Sequence, residues 1–181
     1  MLAGIFGALP LAAIGSYDVP WVPTRRQLIS QVLRIARVSK GDIFYDLGCG
    51  DGRVVIEAAK RGAKAVCIEL RRELLESAIE NAKKAGVYDK IEFINDDFFN
   101  VSLHRASVVY MYLLTRVNAA LRPKLENELR IGARVITLDF AIPGWNPIHV
   151  EKYYVGGLVR TIYLYTKGVS DIKTQAYSLN K

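Results

Sequence analysis

Apolar residues recur along the chain with two periods. Short apolar runs of strand length occur at Ile43–Tyr45, Ala63–Leu70, Ile91–Asn95, Ser107–Leu113 and Arg134–Phe140. Between them the period is helical. One helix runs from an N-cap at Thr24 to about Val38, with Leu28, Val32, Leu33, Ile35 and Ala36 on one face. A second runs from Val54 to near Gly62, a third from Arg71 to Ala85, closed by Gly86, and a fourth from Val117 to Leu129. After Trp145 and Pro147, the β-type runs Val150–Val155 and Leu158–Tyr165 flank Gly156-Gly157, a hairpin signal. Alternating strands and helices predict one α/β domain, a doubly wound and mostly parallel sheet with helices on both faces, and the hairpin as an antiparallel edge.

The first strand runs into the stretch from Asp46 to Arg53, DLGCGDGR, in which Gly48, Gly50 and Gly52 fall at alternate positions before a helix starts. Glycine reaches positive φ cheaply and lets a ligand lie against bare main chain. The following helix start offers unpaired N–H groups and a positive dipole end. A dinucleotide fingerprint places its third glycine where this chain has Arg53, so that motif fails. D-x-G-x-G instead resembles motif I of class I S-adenosylmethionine (SAM) methyltransferases. The resemblance implies that Gly48 and Gly50 pass under the methionine part of the cofactor and that Asp46 fixes its amino end.

Further acids fall where such a site needs them. Glu69 ends the second strand about twenty residues beyond the turn, where an acid takes both ribose hydroxyls. Asp96 and Asp97 follow the third strand, where the resemblance implies an acid that accepts from the adenine amino group, and the two compete for that role; Phe98 is either the ring that covers the base or core. Ligands in open α/β sheets sit beyond the carboxyl ends of the strands, which gathers Asp46, Glu69, Asp97 and Tyr112 along one edge.

Composition narrows the partners. The chain carries a net charge of +7, yet no run of five basic residues, so a nucleic-acid footprint is weak. Two cysteines, Cys49 and Cys67, lie in apolar strand-like context and point to neither disulfide framework nor metal site, hence to a reducing, cytoplasmic compartment. Residues 2–15 carry no charge but are too short to span a bilayer and are interrupted by Pro10. They are read as a disordered or packed extension, with a weak membrane or partner contact as the alternative. The divisions expected are an extension over 1–16, a domain over 17–166 and a polar tail over 167–181, in a monomer.

The fourth strand bears on the substrate. Its end, Tyr110-Met111-Tyr112-Leu113-Leu114-Thr115, lacks both the Asn/Asp-Pro-Pro-aromatic element of enzymes that methylate base amines and the cysteine of those acting on pyrimidine carbon. The two histidines, His104 and His149, fall in loop-like stretches. Methyl transfer from a sulfonium needs an in-line nucleophile with a free lone pair, so positioning and desolvation serve in place of a base. An aromatic channel favours a neutral lysine amine and still tolerates the cationic product. Tyr112, Phe140 and Trp145 are the candidate rings, with Phe140 read as core and Tyr112 and Trp145 open between core and channel.

The order VPWVPT (19–24), DLGCGDGR (46–53), DDFF (96–99), YLLTRVN (112–118), LRPKLENEL (121–129) and PGWNP (143–147) resembles the small archaeal protein-lysine methyltransferases and the ATP-synthase c-subunit lysine methyltransferases. The resemblance spans about residues 19–166. It implies a Rossmann-like seven-stranded fold, SAM as cofactor, protein substrates presenting lysines, Trp21 and Thr24 over the cofactor, and Tyr112 and Trp145 at the lysine. Trp21 and Arg25 depart from the family's tyrosine and proline. A methyltransferase acting on RNA or a small molecule is the runner-up, and an inactive SAM-fold binding module is the non-enzymatic alternative.

Overall fold

The computed structural model describes residues 20–172; the apolar extension and most of the polar tail lie outside that range. The elements are α1 (Arg26–Ile35), β1 (Ile43–Leu47), α2 (Arg53–Lys60), β2 (Lys64–Ile68), α3 (Arg72–Lys84), β3 (Ile91–Ile94), β4 (Val108–Met111), α4 (Thr115–Glu128), β5 (Arg134–Leu138), β6 (His149–Val155) and β7 (Leu158–Thr166). Seven strands form one sheet in the order β3-β2-β1-β4-β5-β7-β6. β1 to β5 pair in parallel, β7 runs antiparallel to β5, and β6 runs antiparallel to β7. The hairpin therefore folds back on itself: its second strand slots beside β5 and its first becomes the edge. Gly156 and Gly157, at φ of 62° and 80°, supply the left-handed turn that joins them.

Strand residues alternate between two cores. Phe44, Val108, Tyr110 and Ile136 face the apolar stripes of α1, α2 and α3. Tyr45, Leu47, Val109, Met111 and Val135 face α4 and the segment after β3, which contributes Phe98 and Leu103 in place of a helix. Both faces are covered, which explains why the central strands read as continuous apolar runs.

Helix α1 begins without the cap that its sequence signal implies. The Thr24 hydroxyl instead shares a 2.8 Å hydrogen bond with the Tyr110 hydroxyl in the interior. Arg25 stands at the N-cap in extended conformation with no side-chain bond to the helix. The cysteine reading is also corrected. Cys49 and Cys67 form a disulfide, with Cα atoms 5.3 Å apart, so the inference from unpaired thiols to a reducing compartment falls away. β2 lies alongside β1 in register, which brings the two sulfurs together although 18 residues separate them. Among the described residues no helix is long and apolar enough to cross a membrane.

Candidate active site

The sheet's connections reverse direction between β1 and β4, and a cavity opens there beyond the strands' carboxyl ends. Its floor is the glycine turn. Gly48, Gly50 and Gly52 all have positive φ, at 83°, 57° and 78°. The N–H groups of Gly48 and Cys49 both donate to the Ile68 carbonyl, at 2.9 and 3.0 Å, and the Cys49–Cys67 bond fastens the same turn to β2. A Cβ on Gly50 would stand 2.6 Å from the Trp21 indole nitrogen, and at its φ of 57° any side chain is strained, so glycine is favoured here.

Each site residue expected from the sequence has a definite place. Asp46, at the end of β1, is 2% exposed and sits between Cys67 and Tyr110 in the ladders. Burial, then the nearby charges of Glu69 and Asp51, push its carboxyl well above the ordinary range. Glu69 is buried and clamps two stretches of backbone: Oε2 accepts from Gly50 N and Oε1 from Arg71 N, both at 2.9 Å. Trp21 and Thr24 line the cavity opposite the turn, and Arg53 Nη1 donates to the Thr24 carbonyl at 3.1 Å, tying the proline-rich segment down. Phe98 is buried and lines the cavity as well, so its core and wall roles coincide.

Three expectations meet a different geometry. Asp96 and Asp97 do not line the cavity; Asp96 Oδ1 accepts from Asp97 N and from Asn100 Nδ2, and Asp97 Oδ1 accepts from Phe99 N. These bonds shape the turn after β3, the ordinary use of Asp in such places. Trp145 is corrected from channel ring to core residue. It is 5% exposed on the α4 side, edge-on to Tyr165, with its indole N–H donating to Glu126 at 3.0 Å. Tyr112 does line the cavity, with Phe140 stacked behind it at 6.3 Å between ring centroids.

Sequence reasoning missed several contributors. The Asp51–Arg53 pair at 2.5 Å, Asn81 bonded to the Asp51 carbonyl, and Asn95 bonded to the carbonyls of Glu69 and Leu70 brace the turn and the end of β2. Arg53 was visible only as the residue that breaks the dinucleotide motif. Arg160 Nη2 donates to the Tyr112 hydroxyl from β7, a contact that no local signal could reveal.

The residues present fit a SAM-type ligand. Asp46 is a buried carboxylate beside the charges of Glu69 and Asp51, an environment that a cationic group would relieve, and an amino end beside the sulfonium is such a group. The glycine turn and Glu69 line the same cavity. Fold and site thus define a class I SAM-dependent methyltransferase.

Comparisons with known proteins agree. The model of the ANTKMT methyltransferase domain matches residues 46–149. A protein-lysine N-methyltransferase of Saccharolobus islandicus is 47% identical over 152 residues, covering 83% of this chain and 94% of that protein. The ATP-synthase c-subunit lysine N-methyltransferase of Xenopus laevis is 36% identical over 168 residues, covering 91% of this chain and 72% of its own length. The crystal structure of an RNA methyltransferase from Salinibacter ruber, in complex with S-adenosyl-L-homocysteine, superposes with a TM-score of 0.79 at 39% identity, covering 85% of this chain and 98% of that one. The chain belongs to the ANTKMT methyltransferase family and is a SAM-dependent methyltransferase.

Proposed function

We propose that the protein transfers methyl groups to lysine side-chain amines of protein substrates. The observation that carries this reading is the wall at Tyr112. It is a ring face backed by Phe140, and the histidines stand elsewhere: His104 bonds the Glu128 carbonyl and His149 bonds Glu151. Burial, opposed by the Arg160 charge, raises the Tyr112 hydroxyl above its ordinary value, so it is a neutral phenol at working pH. A neutral ring wall desolvates an incoming ammonium and favours its free amine, while the ring face accommodates the methylated cation.

SAM supplies an electrophilic methyl group on a sulfonium. Asp46, Gly48, Gly50, Glu69, Trp21, Thr24 and Phe98 are the residues that would hold it, with Tyr112 orienting the acceptor. The Saccharolobus and Xenopus relatives support lysine; the Salinibacter structure keeps an RNA acceptor as the second reading. The test is incubation with methyl-labelled SAM and cell lysate, followed by protease or nuclease. Label released by protease is expected, and label released by nuclease alone would overturn the lysine reading. Tyr112→Ala is expected to lower methyl transfer about 100-fold with SAM affinity within about twofold of wild type. Full activity in that variant removes Tyr112 from the acceptor site.

A further inference from the structure

Behind the Tyr112 wall stands an ion pair that the reaction as described does not use. Asp139 follows β5 at a φ of 63°, a left-handed conformation that Asp and Asn adopt with local hydrogen bonds. Two bonds to one residue hold it there: Asp139 N donates to the Thr161 carbonyl at 2.6 Å, and Asp139 Oδ1 accepts from Thr161 N at 3.0 Å. Arg160, the preceding residue on β7, places Nη2 2.5 Å from Asp139 Oδ2 and also donates to the Tyr112 hydroxyl. Its guanidinium carbon lies 5.4 Å from the Tyr112 ring centre. Both charged side chains are shielded, 13% and 20% exposed, so solvent screens them little. Arg160 Nε is buried with no hydrogen-bond partner. An unsatisfied buried donor on Arg160 is a cost that marks a functional constraint.

We propose that the Asp139–Arg160 pair sets the protonation state of the lysine amine that enters the Tyr112 cavity, acting as a pair of positioning residues through the phenol they hold. The inference rests on the lysine reading above. A lysine arrives as an ammonium and must release its proton to solvent before its nitrogen can attack. An unpaired Asp139 carboxylate would stabilise the ammonium and delay that release; an unpaired Arg160 would repel it. Together they fix the ring while holding the local field close to neutral. Facing the same cavity are Asp46 of β1, Tyr110 of β4, the Asp51–Arg53 pair, and Glu69 and Arg71 after β2; Tyr153 of β6 stands opposite Arg160 in the ladder. These groups are unchanged when only the pair is altered.

The test is the pH dependence of kcat, which reports groups in the enzyme–substrate complex, read on a synthetic peptide carrying a lysine that wild-type enzyme labels in lysate. Arg160→Met is expected to move the acid limb up by about one pH unit, and Asp139→Asn to move it down by about as much. Asn tolerates the left-handed backbone, so the second variant keeps the fold. The double variant is expected to return the limb towards wild type, and Arg160→Lys to leave it in place. A merely structural pair would lower the rate without moving the limb. Limbs that stay put, or that move in the same direction in both single variants, overturn the inference while the lysine reading stands. Wild-type label found on nucleic acid instead of lysine removes both.

Discussion

Asp46 shows how one residue trades stability for function. Its carboxyl, raised by burial and by Glu69 and Asp51, sits above the value it has in the unfolded chain. Such a group favours the fold most when protonated, at low pH, and that contribution is lost as pH rises through the raised value. Ionising this carboxylate therefore costs stability, which a cationic ligand group offsets. Asp46→Asn is expected to raise the melting temperature of the ligand-free protein at pH 7 by roughly 2–4 °C. The same variant should weaken SAM binding at least about tenfold, read by calorimetry. A lower melting temperature with unchanged SAM affinity would refute the role. Spacing pointed to Gly48, Gly50 and Glu69, and the resemblance to motif I added Asp46, because these residues answer to the geometry of one strand-turn-helix unit and the strand beside it. Trp145 was not separable this way: whether an indole faces a channel or a core depends on which side of the sheet its loop crosses.

Among the elements, the glycine turn is the one whose rigidity matters most. It is held to β2 by two backbone bonds to Ile68, by Glu69 and by the Cys49–Cys67 disulfide. A disulfide closing a loop of 18 residues stabilises by about 3 kcal/mol in the chain-entropy account. Reduction by excess dithiothreitol is expected to lower the melting temperature by roughly 6–12 °C and to weaken SAM affinity, because Cys49 itself lines the cavity. An unchanged melting curve, with both thiols shown free by alkylation, would contradict this. The pairing was not legible: two cysteines in apolar runs read as core until β1 and β2 are laid side by side. Thr24 is a similar case. Its position before a helix signals a cap, but Tyr110 on a distant strand offers a buried partner, and that bond prevails.

For the whole molecule, the two ends of the sheet divide the work. The carboxyl ends carry the cavity, whereas the amino ends carry a staple built on Asp42. That carboxylate accepts from Ser39 N at 2.9 Å, from Ser107 Oγ at 2.8 Å and from Arg134, which also donates to the Ala36 and Arg37 carbonyls. The cluster joins the end of α1 to β4 and β5. Asp42→Ala leaves Arg134 without its carboxylate and is expected to cost about 3 kcal/mol of stability. SAM affinity and kcat/KM at 25 °C should stay within about twofold, since the change lies at the far end of the strands. A selective loss of SAM affinity would show that the two ends are coupled. The strand and helix count, the parallel core with its closing hairpin, and the nucleoside-type turn all follow from the order of residues along the chain. Those features are local: period, glycine spacing and an acid one strand away fix them within some twenty-five residues. Folding in three dimensions was needed to place β7 inside β6, to bring Arg160 and Asp139 together behind Tyr112, and to bond the two cysteines. It also put Asp96, Asp97 and Trp145 outside the cavity. Each of those outcomes depends on which strands become neighbours and which face a loop crosses, and long-range packing settles that where local preference is silent.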